Sequence, residues 1–316
     1  MKKLIVLLLA LTLTACAAPE KSETAETITI RSLNANGEAI ETEVPYDPQR
    51  IAVLDMAALD ILDTLGLGER IVGSAQVSID YLAAYNPNDV IENLGTIKTA
   101  DLEKVAVCDP DIIFIGGRLA SIYADLEAIA PVVYLGVDYK KGVVESTREN
   151  ARTIASLFGL EGKVNPLLEE FQPRIDALKN VLEGKNVLLG MYNASALSLM
   201  DTESQLNIIA RELGTINLGE SIGEAEKATH GEEASWETII TLNPEYMFVL
   251  DRSTATGASD AGVREVIENE LIQGLDVYRE GRIVYFVDNA NVWYTATGGL
   301  KALDTMLGDL ERALLP

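Results

Sequence analysis

Two arginines stand at the same step of a repeated stretch. Residues 101–118 read DLEKVAVCDPDIIFIGGR and residues 235–252 read SWETIITLNPEYMFVLDR. Glu103 aligns with Glu237, Pro110 with Pro244, Phe114 with Phe248 and Arg118 with Arg252; the apolar pattern keeps step through Val105/Ile239, Ile113/Met247 and Ile115/Val249. A planar guanidinium presents several donors to oxyanions, so two of them facing one gap would grip a negatively charged ligand. A water-solvated loop is the ordinary reading of either arginine alone; their recurrence within a repeat favours a shared anion site. Lys98 lies just before the first copy's helix, where the helix dipole disfavours a cation unless an anion is near. His230, the single histidine, sits in a charged loop five residues before the second copy, and solvated and functional readings of it both stand. Trp293 and Tyr294 follow a strand and precede a helix, where aromatics either pack a loop or meet a ligand.

The elements that must position these groups follow from the same repeat. Each copy has a helix-starting Asp or Ser, an apolar helical face, a proline turn and a short apolar strand, which together form the second half of a β-α-β unit. The expected fold is α/β: two similar lobes with mainly parallel sheets flanked by helices. Ligands of such sheets lie outside the carboxyl ends of the strands, where both arginines stand. Residues 143–158 contain no Gly or Pro and predict one long helix, which joins the lobes and restricts them to small rocking. The boundaries are then 28–141 for the N-terminal lobe, 142–160 for the linking helix and 161–316 for the C-terminal lobe. Asn36-Gly37 between alternating stretches predicts a hairpin over 28–44. Strands are expected at 50–54, 132–135, 186–191 and 283–287, and helices at 56–65, 122–129, 208–213, 263–272 and up to 314. The helical stretch 166–182 should kink or break at Pro173.

The start of the chain gives an address. Residues 1–15 carry a lysine pair and an apolar run ending in small residues, and read as a signal peptide. Leu13-Thr14-Ala15-Cys16 matches the bacterial lipoprotein pattern, with Cys16 as the lipidated residue and 16–27 as a polar tether; an ordinary cleaved signal is the plainer alternative. Acidic residues number 49 against 25 basic ones, for a net charge of −24, which argues against nucleic acid or an anionic membrane surface as partner. An anionic ligand would need a locally basic cleft. With Cys16 lipidated, Cys108 has no intramolecular partner and reads as a small buried hydrophobe.

Together the lipoprotein signal, Leu94-Gly95-Thr96-Ile97-Lys98 before DLEKV, the Thr229-His230-Gly231 triplet, LNPEYMFVLDR and VWYTATGG resemble the iron-siderophore substrate-binding lipoproteins of ABC importers, most closely the catecholate (petrobactin) type. The resemblance implies a fold like the class III periplasmic binding proteins. It also implies a binding role with no enzymatic step and no intrinsic cofactor. The cargo is a ferric siderophore, Fe3+ included, held between the lobes of a lipid-anchored, monomeric protein on the outer face of the cell membrane or the periplasmic side. By the same resemblance Lys98, Arg118 and Arg252 grip the ligand with Trp293 beside them, while His230 and Tyr294 complete the iron's coordination. Glu103 and Glu237 dock the lobes onto the permease, which works with its ATPase; helix capping is their plainer role. The family's third arginine is replaced here by Gln205, so the pocket has one cation fewer. Haem, cobalamin or a hydroxamate siderophore are alternative ligands. A surface-anchored hydrolase is a rival of another class, opposed by the lack of any H-E-x-x-H motif and by a single histidine that would have to serve every base or ligand role.

Overall fold

The structure, a computed structural model, describes residues 26–221, 235–258 and 262–316. Strands β1 (Thr27–Leu33) and β2 (Ala39–Pro45) form the expected antiparallel hairpin, with Ile30 and Val44 turned inward. Asn34 closes its turn by accepting from the backbone N–H groups of Asn36 and Glu38 at 2.9 and 3.0 Å.

The first lobe is built on β3 (Ile51–Leu54), β4 (Ile71–Ser74), β5 (Glu92–Asn93), β8 (Ile112–Ile115) and β9 (Val132–Tyr134). All pairings are parallel, in the order β5-β4-β3-β8-β9. Every residue of β3 and β8 is buried, as a parallel sheet covered on both faces requires. A small hairpin of β6 (Gly95–Thr96) and β7 (Thr99–Ala100) projects Lys98 at its tip. Helices α1 (Met56–Thr64), α2 (Leu102–Val107) and α3 (Tyr123–Glu127) complete the lobe.

Helix α4 (Val143–Ser156) joins the lobes where the Gly- and Pro-free stretch predicts it. Its first turn has no side-chain cap of its own, because Gly142 precedes it at φ 107. The second lobe supplies the acceptors: Asn207 Oδ1 takes the Val143 N–H at 3.2 Å and Glu212 Oε1 the Val144 N–H at 3.0 Å. A Cβ at position 142 would stand 2.4 Å from that Glu212 oxygen. The helical stretch around Pro173 is two helices, α5 (Glu161–Glu169) and α6 (Phe171–Leu182), parting at Glu170. Pro173 has no N–H for the carbonyl four residues back and its ring crowds that carbonyl, so it is tolerated only in the first turn of α6.

The second lobe is a sheet ordered β11-β10-β13-β14, from β10 (Asn186–Asn193), β11 (Ala196–Leu199), β13 (Tyr246–Asp251) and β14 (Ile283–Phe286), with β12 (Ile216–Asn217) beside β10. Among the described residues of this sheet only the β10–β11 pairing is antiparallel. Around it lie α7 (Asn207–Ala210), α8 (Trp236–Leu242) and α9 (Arg252–Ala255). The helix expected over 263–272 is split into α10 (Val263–Ile267) and α11 (Glu270–Gln273), because Asn269 caps α11 by accepting from the Leu271 and Ile272 N–H groups. Then come α12 (Asp276–Arg279), α13 (Ala290–Thr295) and α14 (Leu300–Leu314). Side chains alternate across β13: Phe248 and Leu250 enter the main core, Met247 and Val249 a smaller core on the other face.

Chain order assigns α14 to the second lobe, yet it packs on α1 of the first, as well as on α4 and α6. The tie is Asp60, fully buried on α1. Its carboxylate accepts from the Lys301 and Ala302 N–H groups at 2.9 Å each and from Tyr81 Oη at 2.6 Å. Beside the linking helix, the lobes are thus tied by a second contact, that of α14 with α1.

Candidate functional site

The two repeated units begin alike. Asp101 accepts from the Lys104 N–H at 3.2 Å and Ser235 from the Thr238 N–H at 3.1 Å, so each opens with a side-chain cap. Glu103 and Glu237 fall in the first turns of α2 and α8, both exposed. Each unit then delivers an arginine past the end of its strand. Arg118 follows β8 across Gly116-Gly117, and Arg252 begins α9 directly after β13.

The glycines at 116 and 117 answer a close approach. A Cβ at 116 would lie 2.4 Å from Asp55 Oδ2, and one at 117 would lie 2.9 Å from the Tyr134 hydroxyl. Asp251 braces the second arginine's turn, accepting from the Thr254 N–H at 3.0 Å and its hydroxyl at 2.7 Å.

Both guanidinium groups meet one ring. The Arg118 carbon lies 5.2 Å and the Arg252 carbon 5.4 Å from the centroid of Tyr294 on α13, within the range of cation–π attraction. Arg252 Nε also donates to the Tyr294 hydroxyl at 2.9 Å, and a second nitrogen of Arg252 donates to Asn193 Oδ1. Burial works against ionisation of the Tyr294 phenol. The hydrogen bond from Arg252 and the charges of Arg252, Arg118 and Lys98 outweigh it and bring the phenol below its ordinary pKa. The three cations expected from the sequence thus act on a single phenolic oxygen. Among the described residues none of the three forms an ion pair within 4.0 Å.

Arg118 and Tyr294 line a cleft of about 1080 Å³, with Gln205 and Glu203 on one side and Asp55, Tyr134 and Tyr139 on the other. Loop 201–206 of the second lobe is fixed to the first through Asn207, whose Nδ2 donates to the carbonyls of Thr202 at 2.6 Å and Tyr139 at 3.1 Å. A hard, oxygen-rich anion fits this lining: guanidinium donors for oxyanions and a phenol eased toward phenolate, an oxygen donor suited to ferric iron.

Trp293 does not belong to the cleft. It is fully buried, stacks on Phe286 with ring centroids 4.0 Å apart, and donates from Nε1 to Asp309 at 2.8 Å. Neighbours on a helix point about 100° apart, so when Tyr294 faces the cleft Trp293 faces the core. His230 and Cys16 lie outside the described residues. Cys108 is buried as expected, its Sγ 3.7 Å from the Val72 carbonyl. Sequence reasoning missed Asp55 and Asn193. The signal for Asp55 was an acidic residue between a buried strand and an apolar helix, on the same rim as Arg118; Asn193 had none.

Comparison with known proteins agrees with this fold. The profile described as periplasmic binding protein matches residues 51–290. The petrobactin-binding protein YclQ of Bacillus subtilis is 33% identical, the alignment covering 98% of this chain and 97% of that protein. Its crystal structure superposes with a TM-score of 0.82 at 32% identity, covering 92% of this chain and 99% of that one. The periplasmic catecholate-siderophore binding protein VctP of Vibrio cholerae gives a TM-score of 0.79 at 25% identity, covering 90% of this chain and all (100%) of that one. Two parallel-sheet lobes, a cleft between them and these similarities lead to one conclusion: the chain belongs to the periplasmic binding protein family.

Proposed function

We propose that this protein is the substrate-binding component of an iron-siderophore ABC importer, capturing a ferric catecholate-type siderophore between its lobes and passing it to the permease. The observation that carries the reading is the meeting of Arg118 and Arg252, one from each lobe, on the Tyr294 ring with no carboxylate partner among the described residues. Relatives named for petrobactin and catecholate siderophores support it. Lys98 and Gln205 extend the contact surface; Gln205 can hydrogen-bond an oxygen without adding charge. Tyr294 and His230 supply donors to iron where the siderophore leaves coordination sites open. Capture involves no covalent step.

The remaining parts of the reading concern placement. Cys16 carries a lipid, palmitate among its chains, that holds the protein at the outer face of the membrane. The exposed Glu103 and Glu237 present one carboxylate from each lobe to the permease.

Titration of tryptophan fluorescence tests the proposal, since Trp293 directly precedes Tyr294 in the chain and sits behind the cleft. Ferric bis- or tris-catecholate is expected to quench at micromolar concentration, and a ferric hydroxamate or haem to compete poorly. Absence of quenching by any ferric catecholate, or equal quenching by the competitors, would refute it.

A further inference from the structure

Asp55 is a cleft residue that the cationic site leaves unexplained. It ends β3 and caps α1, its Oδ1 accepting from the Ala58 N–H at 2.9 Å. Its Oδ2 is turned toward Gly116, where the absent side chain leaves the carboxylate edge open: a Cβ there would be 2.4 Å away. Asp55, Gly116, Gly117, Arg118 and Tyr134 line the same cavity. Capping alone is served equally by Ser, Thr or Asn, none of which sets a negative charge beside an anion site. Nor does Asp55 neutralise Arg118, with which it makes no ion pair within 4.0 Å although it feels that charge. Burial pushes its carboxyl up to about 6, against the caps from Ala58 and Ala57 and the charge of Arg118. Asp55 is half-buried and lines the cavity, so a ligand that covers it must bring a donor to its carboxylate or leave that charge desolvated without a partner.

We infer that Asp55 is a ligand-contacting residue that selects for a hydrogen-bond donor, an N–H or O–H carried by the captured complex next to its anionic iron centre. The inference rests on the proposed capture of a ferric catecholate in this cleft. A purely anionic complex meets repulsion from Asp55, whereas one with a donor at that point offsets the carboxylate's desolvation. The cleft is then matched to a ligand that is negative at Arg118 and donating at Asp55, and specificity comes from both.

The test compares two ferric bis-catecholates whose linkers differ only in amide N–H against ester oxygen. The protein should bind the amide about tenfold more tightly, the scale of one hydrogen bond to a charged group. Asp55→Asn keeps the helix cap and volume and should bring the two ligands within about twofold; Asp55→Ser, also a good cap, serves if that variant folds poorly. Equal binding of both ligands by the unaltered protein, or an amide preference that survives in the variants, overturns the role of Asp55 while leaving capture intact. Binding of neither ligand overturns the capture reading and this inference with it.

Discussion

Removing the guanidinium of Arg252 should weaken capture strongly while leaving the protein folded. Arg252→Ala deletes a charge-assisted hydrogen bond of 2.9 Å to the Tyr294 hydroxyl and a cation 5.4 Å from that ring. The lost contact with an anionic ligand corresponds to about 1.5–3 kcal/mol, or roughly a ten- to hundredfold rise in Kd at about 1.4 kcal/mol per decade. The fold loses the cation–π attraction and two part-buried hydrogen bonds, to Tyr294 and Asn193, about 1–2 kcal/mol against a global stability several times larger. Arg252→Lys keeps the charge without the planar fork and should fall between. Fluorescence titration reads the affinity, and urea unfolding reads the stability. A third readout is internal: phenolate absorbance should show Tyr294 ionising at higher pH in Arg252→Ala, because the hydrogen bond and nearest charge that hold its pKa down are gone. An affinity within twofold of the unaltered protein, or a phenol that does not move upward, would refute the arrangement of the cleft.

Asp60→Ala should destabilise the protein by roughly 2–4 kcal/mol, from the lost helix cap together with a buried charged hydrogen bond to Tyr81; urea unfolding measures it. Burial raises the carboxyls of Asp55 and Asp60 to about 6 and that of Glu212 to about 7. In each case the folded pKa exceeds the unfolded value, so the folded state binds more protons and stability increases as pH falls from about 7 toward 4. Thermal unfolding should show a higher Tm at pH 5.5 than at pH 8, and Glu212→Gln should flatten that slope near pH 7. Charge reversal at Glu103 and Glu237 together should abolish siderophore uptake by cells and leave the Kd for the ligand within twofold; a matching loss of binding would contradict the docking role.

Much of the fold was legible because its signals are local. The caps at Asp101 and Ser235, the buried runs of β8 and of 247–251 in β13 and the unbroken stretch that forms α4 each follow from a few neighbouring residues. The convergence of Arg118 and Arg252 was legible because a repeat places both at one topological position. What was hidden depends on partners distant in sequence. Periodicity in 300–314 announces a buried face but not that Asp60, some 240 positions earlier, receives its first turn. Adjacent Trp293 and Tyr294 carry no mark saying which faces inward, since that depends on Phe286 and Asp309 across the core. The caps on α4 come from Asn207 and Glu212, more than sixty residues downstream, so Gly142 alone predicts an uncapped end.

The contact of α14 with α1 fastens the end of the chain to the first lobe, while the same helix also packs on α13, α6 and α4. A chimaera exchanging ligand preference with a relative must therefore keep α1 and α14 together, and a fusion joined at the carboxyl terminus would ride on the helix that fastens them.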